Sequence, residues 1–155
     1  LFRSGLHLAA VDYDIYAEGE AALGWLNTSL DLSGESVDFD ELLQTLLSGL
    51  SRRFAEKNAT VGHIKALLAV GQQVMVGNLT GRRETLRLRG SVGKRSQANL
   101  TVNARVEIDP EELKTIVLEE IAAVCAGRVN VRETALRCLK PGRPAPTYRF
   151  DAVVC

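Results

Sequence analysis

The sequence predicts an α+β fold, a two-layer sandwich in which two helices lie on one face of an antiparallel-rich sheet. Three observations predict it: stretches that alternate apolar and polar residues, two stretches with apolar residues at helical spacing, and an order of strand, strand, helix, strand that occurs twice. A length of 155 residues, 46% hydrophobic side chains and a net charge of +0 are typical of a globular chain. This composition excludes a disordered tail, a collagen-like repeat and a disulfide scaffold.

The first half of the predicted repeat, residues 7–76, begins with a hairpin. Apolar and polar side chains alternate through residues 8–32, and Glu18-Gly19-Glu20 interrupts the alternation where a turn is needed. A helix follows, because Asp38 and Glu41 have the spacing of a capping box and an apolar stripe runs on from them.

One strand closes the first half. The helical stripe ends near Asn58, and residues 62–70 then read as a strand. Val74 and Val76 continue the alternation, so we expect an extension of the same strand through both of them.

The second half, residues 82–140, repeats the order. Residues 86–92 and 100–108 alternate on either side of a turn at 93–97 and predict a second hairpin. The second helix has Asp109 as its cap and Pro110 at its first position, and its apolar stripe extends to Gly127.

The chain ends with a strand and a proline-rich tail. Residues 129–138 form the strand, and a change of phase predicts a bulge around Thr134. The tail, residues 141–150, fits neither a helix nor a central strand. We expect one ferredoxin-like domain over residues 1–155, and the alternative is that each half is a subdomain of its own.

Charge is distributed unevenly along the chain. Residues 1–50 hold one base and nine acids, whereas residues 51–155 hold 18 bases and 10 acids. Such a division indicates either an anion-binding surface or two halves whose charges pair within the fold. We favour the second interpretation, since charged residues usually form solvated faces.

One segment imitates a nucleotide-binding motif. Residues 90–96 read Gly-Ser-Val-Gly-Lys-Arg-Ser, but Leu88 stands where a P-loop needs its first glycine, and Arg95 replaces the required Ser or Thr. The segment also lies between two predicted strands, where a P-loop would precede a helix. We therefore interpret it as a hairpin turn and expect no nucleotide site of this kind.

Catalytic residues are scarce. The candidate general base is His63, which lies on a predicted strand beside Lys65, and no Gly-x-Ser-x-Gly elbow supplies a nucleophile. A lone histidine on a strand is more often a structural or binding residue. We expect a protein that is not an enzyme, and a small enzyme with His63 as its base is the weakest of three hypotheses.

The cysteines and histidines indicate neither a metal site nor a cofactor. Cys125, Cys138 and Cys155 are widely spaced, and His7 and His63 are 56 positions apart. Cys125 ends the second helical stripe, where we expect a buried, inert thiol. A reducing compartment fits this pattern, and the apolar runs are too short to span a bilayer, so we expect a cytoplasmic protein without a membrane partner.

Four asparagines begin an Asn-x-Ser/Thr triplet: Asn27, Asn58, Asn78 and Asn99. Taken alone, the triplets suggest a glycosylated, secreted protein. The interpretation that we favour is structural, with Asn58 and Asn78 as turn residues that precede strand-favouring threonines.

The basic residues are the strongest functional signal. Arg87, Arg89 and Arg105 point outward from adjacent antiparallel strands in the predicted hairpin, so they form a candidate anion-binding face. Pairing with the acidic first half is the alternative. Nucleic acid is a less expected partner, because RNA-binding sheets stack bases on exposed aromatic residues. The aromatic residues that follow residue 81 are Tyr148 and Phe150, and both belong to the tail.

Two strings carry a family resemblance, LTVNARVEIDPEEL at residues 100–113 and RCLKPGRPAPTYRF at residues 137–150. They resemble the C-terminal region of CobW-type GTPases, which belong to a group of metal-trafficking and cofactor-assembly proteins. Residues 17–27 and 61–65 resemble upstream parts of the same region. The resemblance extends from about residue 10 to residue 150.

The resemblance implies a C-terminal interaction domain that is separate from its GTPase domain. The P-loop, the magnesium-binding acid, the base-recognition motif and the Cys-x-Cys-Cys metal string of the family are missing from this sequence, so GTPase activity would reside elsewhere. The implied partners are the GTPase domain and a client protein in metal trafficking or cobalamin synthesis. Self-association into a homo-oligomer is an open alternative.

We predict that partner binding involves five residues: His63, Lys65, Arg143, Tyr148 and Arg149. Prolines around the last three limit the conformational entropy that the tail loses on binding. Equally, the tail could cover a sheet edge. The alternative function is a stand-alone phosphate- or nucleic-acid-binding protein that uses the arginine face.

Overall fold

A computed structural model describes residues 23–81 and 85–142. These residues form six strands and two helices. In chain order the elements are β1 Gly24–Asp38, α1 Phe39–Glu56, β2 Val61–Val70, β3 Gln73–Thr80, β4 Thr85–Gly90, β5 Lys94–Val106, α2 Pro110–Cys125 and β6 Asn130–Leu139.

The strands form one antiparallel sheet in the order β4-β3-β2-β5-β1-β6. α1 connects β1 to β2, which lie on either side of β5, and α2 connects β5 to β6, which lie on either side of β1. Each helix therefore links two parallel strands that flank a third, which is the split βαβ arrangement of ferredoxin-like folds. The predicted α+β sandwich is confirmed, and the β3–β4 hairpin extends its sheet by two strands.

One side of the sheet, the helix face, holds the core. Alternate strand residues point towards it, and its central row is Leu30, Leu100 and Leu68 on β1, β5 and β2, each at most 2% exposed. α1 packs over β2, β3, β4 and β5, and α2 packs over β1 and β6. Burial of these apolar side chains supplies most of the stability of the sandwich.

Both helices begin at the residues that the sequence predicts. The Asp38 carboxylate accepts a hydrogen bond from the backbone N–H of Glu41 at 3.1 Å. The Asp109 carboxylate accepts from the N–H groups of Glu111 and Glu112 at 2.9 and 3.3 Å. These bonds satisfy donors that the first turn of a helix leaves without an intrahelical partner.

The two helices contact each other at Gly49. A Cβ atom at this position would lie 1.8 Å from Oε1 of Glu120, so glycine lets that carboxylate lie against α1. Arg53 stabilises the contact, since its guanidinium is 3.7 Å from Glu120 and 2.5 Å from Glu119. The charges of the helix layer thus pair largely with one another.

The predicted extension of the strand at residues 62–70 is wrong. The chain reverses at Gly71 and Gln72, and Val74 and Val76 belong to β3, which pairs back on β2. Gly71 has a φ of +57°, which glycine adopts without strain. The alternation continues on both sides of this two-residue loop, so periodicity did not reveal the turn, and Val76, the predicted end of the first half, lies inside β3.

The predicted second hairpin is also wrong. β5 pairs with β1 and β2, whereas the partner of β4 is β3. Residues 91–93 therefore cross the ends of β3 and β2, with Val92 buried at 2% exposure. Alternation specifies the face that a side chain occupies but not the neighbouring strand.

The end strands of the prediction have mixed outcomes. The first arm of the first hairpin falls outside the described residues. β1 runs beyond residue 32 to Asp38, through a register shift between Ser33 and Val37. The bulge is confirmed, because the pairing of β1 with β6 skips Thr134.

No described helix is long and apolar enough to cross a membrane.

Candidate functional site

The side of the sheet opposite the helices, which we call the polar face, carries rows of side chains that cross the strands. One row reaches all six strands, and from β6 to β4 it consists of Arg137, Asn27, Asn103, Lys65, Asn78 and Arg87. None of its members is apolar or acidic. Along each strand, the member of this row lies between two residues that point towards the helix face, as period-2 geometry requires.

The polar face is basic. The rows aligned with residues 25–33 of β1 contain one acid, Asp31, and six bases: Lys65, Arg87, Arg89, Arg105, Arg132 and Arg137. The two helices have the opposite balance, with seven acids and three bases. Among the described residues, charge is therefore separated between the two layers of the fold.

Most of these bases lack an opposite charge nearby. Within residues 23–81 and 85–142, no ion pair involves Lys65, Arg87, Arg89 or Arg137. The single acid of the face, Asp31, is bound already, since it accepts a 2.6 Å hydrogen bond from Asn99 and forms an ion pair with Arg132. Among the described residues, the polar face thus carries more bases than it has acids to pair with them.

A concave pocket of about 320 Å³ lies on the polar face where β1, β5 and β2 meet. Its described lining consists of Trp25, Asn27, His63, Lys65, Asn103, Ala104 and Arg105. The Arg105 guanidinium carbon lies 4.1 Å from the centroid of the Trp25 ring, a cation–π contact. The lining contains hydrogen-bond donors and a flat cationic surface, but no carboxylate, hydroxyl or thiol.

Trp25 has a further unusual feature. Its indole Nε1 is buried, and it has no hydrogen-bond partner among the described residues. A buried donor without a hydrogen-bond acceptor lowers the stability of the folded protein.

The segment that imitates a P-loop has its polar groups occupied. Asp40 of α1 accepts hydrogen bonds from the N–H groups of Val92 and Gly93 at 2.8 and 3.1 Å, and also from the Ser91 hydroxyl. Burial alone would raise the pKa of Asp40, but these hydrogen bonds and the charge of Arg95 outweigh it and lower the pKa. The backbone that could cradle a phosphate binds a carboxylate of the same chain.

The structure places the eight predicted site residues in three groups. His63, Lys65 and Arg105 meet in the pocket. Arg87 and Arg89 share the polar face with Arg105, but β3 and β2 lie between their strands, so the expectation of adjacent strands is wrong. Arg143, Tyr148 and Arg149 lie outside the described residues.

The sequence analysis missed Trp25, Asn27, Asn103 and Arg137. Each lies at a strand position of the same parity as His63 or Lys65. Knowledge of the strand order would have aligned them into one site. Trp25 is also an aromatic residue that the search of the second half for base-stacking residues did not cover.

The Asn-x-Ser/Thr triplets follow from the alternation of the sheet. Asn27, Asn78 and Asn99 lie on the polar face, and the residue two positions later lies on the same face, which favours serine or threonine. Asn78 is therefore a strand residue, and its prediction as a turn residue is wrong. Asn58 does lie in a turn and has a φ of 53°.

Away from the polar face, an apolar groove runs between α2 and β6, lined by Leu118, Ile121, Val129 and Val131 among others. Cys125 at this groove is 2% exposed, which confirms the predicted burial, and burial raises the pKa of its thiol. Among the described residues, no three His, Cys, Asp or Glu side chains lie together as a metal site would require.

The described residues define an α+β domain with a basic, amide-rich sheet face. Comparison of the chain with models of protein families and with curated proteins finds no match. The functional argument therefore depends on the chemistry of the polar face.

Proposed function

We propose that this chain is a non-catalytic binding domain whose polar face binds an anionic partner. The observation that carries the proposal is the charge of this face, six bases against one acid that is already paired. A surface of one sign attracts ligands of the other sign and accelerates their association.

Two observations support a non-catalytic role. The described lining of the pocket offers no nucleophile beside His63 and no carboxylate that could orient the imidazole as a general base. The segment at residues 90–96 binds Asp40 with the groups that would otherwise hold a phosphate.

The resemblance to CobW-type GTPases gives the proposal a specific form. In this form the chain is the C-terminal interaction domain of such a GTPase, and the polar face binds an acidic surface on a client protein for metal trafficking or cofactor assembly. The complete open reading frame of the gene tests this form. We expect a P-loop GTPase domain upstream of Leu1, and a frame without one would contradict it.

A second candidate function is phosphate or nucleic-acid binding. The observation that favours it is the stacking of Arg105 on Trp25, within the same face as Arg87 and Arg89. Nucleic-acid-binding sheets combine positive charge with flat side chains on which bases stack.

The central proposal is tested by measuring the binding of two labelled polyanions, poly-L-glutamate and oligo(dT), by fluorescence anisotropy at low and moderate salt. We expect at least one of them to bind at low salt and to dissociate as salt rises, because the interaction is electrostatic. Tighter binding of poly-L-glutamate would favour a protein partner, and tighter binding of oligo(dT) would favour a nucleic acid.

A matched pair of variants locates the binding surface. Lys65→Glu with Arg137→Glu reverses two bases of the polar face, while Arg52→Glu with Lys114→Glu makes the same change of net charge on the helix layer. The first variant should lose about tenfold or more in affinity, since each reversal replaces attraction with repulsion. Equal losses in both variants, or no binding of either polyanion at low salt, would reject the proposal.

A further inference from the structure

The pocket on the polar face has the dimensions and chemistry of a small-ligand site. Its volume of about 320 Å³ falls at the lower end of the range for such sites. Three neighbouring strands supply its described lining, so a hydrogen-bonded sheet holds these side chains in place.

The charge of the pocket selects an anionic group. Lys65 and Arg105 are basic, the described part of the lining includes no acid, and the amides of Asn27 and Asn103 add neutral hydrogen-bond donors. Several donors in one lining suit a phosphate group, which offers three terminal oxygens as acceptors.

The Arg105–Trp25 pair adds a requirement of shape. Arg105 is exposed, and its guanidinium carbon lies over the Trp25 ring. An exposed guanidinium plane is a surface on which nucleic-acid bases stack. The two asparagine amides can both donate to and accept from the edge of such a base.

We propose that this pocket binds a nucleotide, with its base stacked on the Arg105–Trp25 pair and its phosphate at Lys65. The inference rests on the proposed function, because it assumes that the polar face is the binding surface, and it names the group that the face recognises. A carboxylate ligand would use the charge of the pocket but not the stacked pair.

The single tryptophan of the chain reports directly on this site. Titration of the protein with AMP should therefore change the intrinsic fluorescence of Trp25 in a saturable way. Adenosine lacks the phosphate, ribose 5-phosphate lacks the base, and glutarate supplies carboxylates alone. We expect each of the three to bind about tenfold more weakly than AMP.

Variants connect the signal to the pocket. Lys65→Ala and Arg105→Ala should each weaken AMP binding by about tenfold, whereas Arg52→Ala removes a base from the helix layer and should leave it unchanged. Circular dichroism spectra and melting temperatures show whether each variant is folded. If Arg105→Ala does not fold, Arg105→Lys keeps the charge without the plane and should still weaken AMP more than ribose 5-phosphate.

Two results would overturn the inference. If glutarate binds as tightly as AMP, the pocket recognises charge alone. If AMP does not bind at millimolar concentration while a polyanion binds and the double variant of Lys65 and Arg137 abolishes that binding, the nucleotide pocket is rejected and the proposed function stands. Failure of the polyanion assay would reject the proposed function itself.

Discussion

Leu100 and Asn103 lie three residues apart on β5, and their side chains are on opposite faces of the sheet. Leu100 is fully buried against the helices, and Asn103 is exposed in the middle of the polar face. The helix face is apolar and closely packed, whereas the polar face displays amides, hydroxyls and basic side chains. One strand thus contributes to stability with one set of positions, and under the proposed function the alternate set would contribute to binding.

The comparison indicates where this protein tolerates change. Residues on the helix face are constrained by close packing, in which each side chain must fit its neighbours. Residues on the polar face contribute little to the core, so folding alone does not account for the excess of bases over acids in its described rows. The proposed binding function would account for that excess.

The largest effect should come from a matched pair of substitutions on β5. Leu100→Ala leaves a cavity in the core and should lower the free energy of unfolding by about 2–5 kcal/mol. Asn103→Ala, on the other face, should change it by no more than about 0.5 kcal/mol. Urea denaturation followed by circular dichroism measures both values, and a comparable loss for Asn103→Ala would show that the polar face also holds the fold together.

A smaller effect is expected at the contact between α1 and the crossover from β4 to β5. Asp40→Ala removes the acceptor of three hydrogen bonds and should cost about 2 kcal/mol at neutral pH. The exposed Glu41 on the same helical turn is the control, and Glu41→Ala should cost less than about 1 kcal/mol.

This contact also predicts a pH dependence. Because the pKa of Asp40 is lowered in the folded protein, its stabilisation is present above the unfolded value of about 3.9 and is lost as pH falls through the folded value. The difference in unfolding free energy between wild type and Asp40→Ala should therefore shrink in acid. A difference that stays constant from pH 7 to about pH 2 would contradict the assignment of the carboxylate as the stabilising group.

Local sequence signals predicted the helices and the faces of the strands. Asp38 and Asp109 are specific caps, and the apolar stripes that follow them fix the helices and their buried sides. The order of the strands in the sheet could not be predicted in this way. The residues of β4 and β5 alternate as those of a hairpin would, yet two other strands lie between them. Neighbour choice depends on packing between residues far apart in sequence, such as Val92 and the core.

The candidate site could be predicted only in part for the same reason. His63 and Lys65 could be found because they lie two positions apart on one strand and so share a face. Arg105 could be found because it is a base at an outward position. Their meeting with Trp25 depends on the order β2-β5-β1. No periodicity within a single segment contains that order.

The β3–β4 hairpin determines the width of the polar face. Neighbouring strands are about 4.8 Å apart, so six strands span about 24 Å, whereas the four strands of the two split βαβ units alone would span about 14 Å. An extended peptide rises about 3.3 Å per residue, and one that crossed the face at right angles to the strands would meet it along about seven residues, compared with about four without the hairpin. If the polar face binds an extended segment as proposed, the hairpin would therefore set the length of that segment.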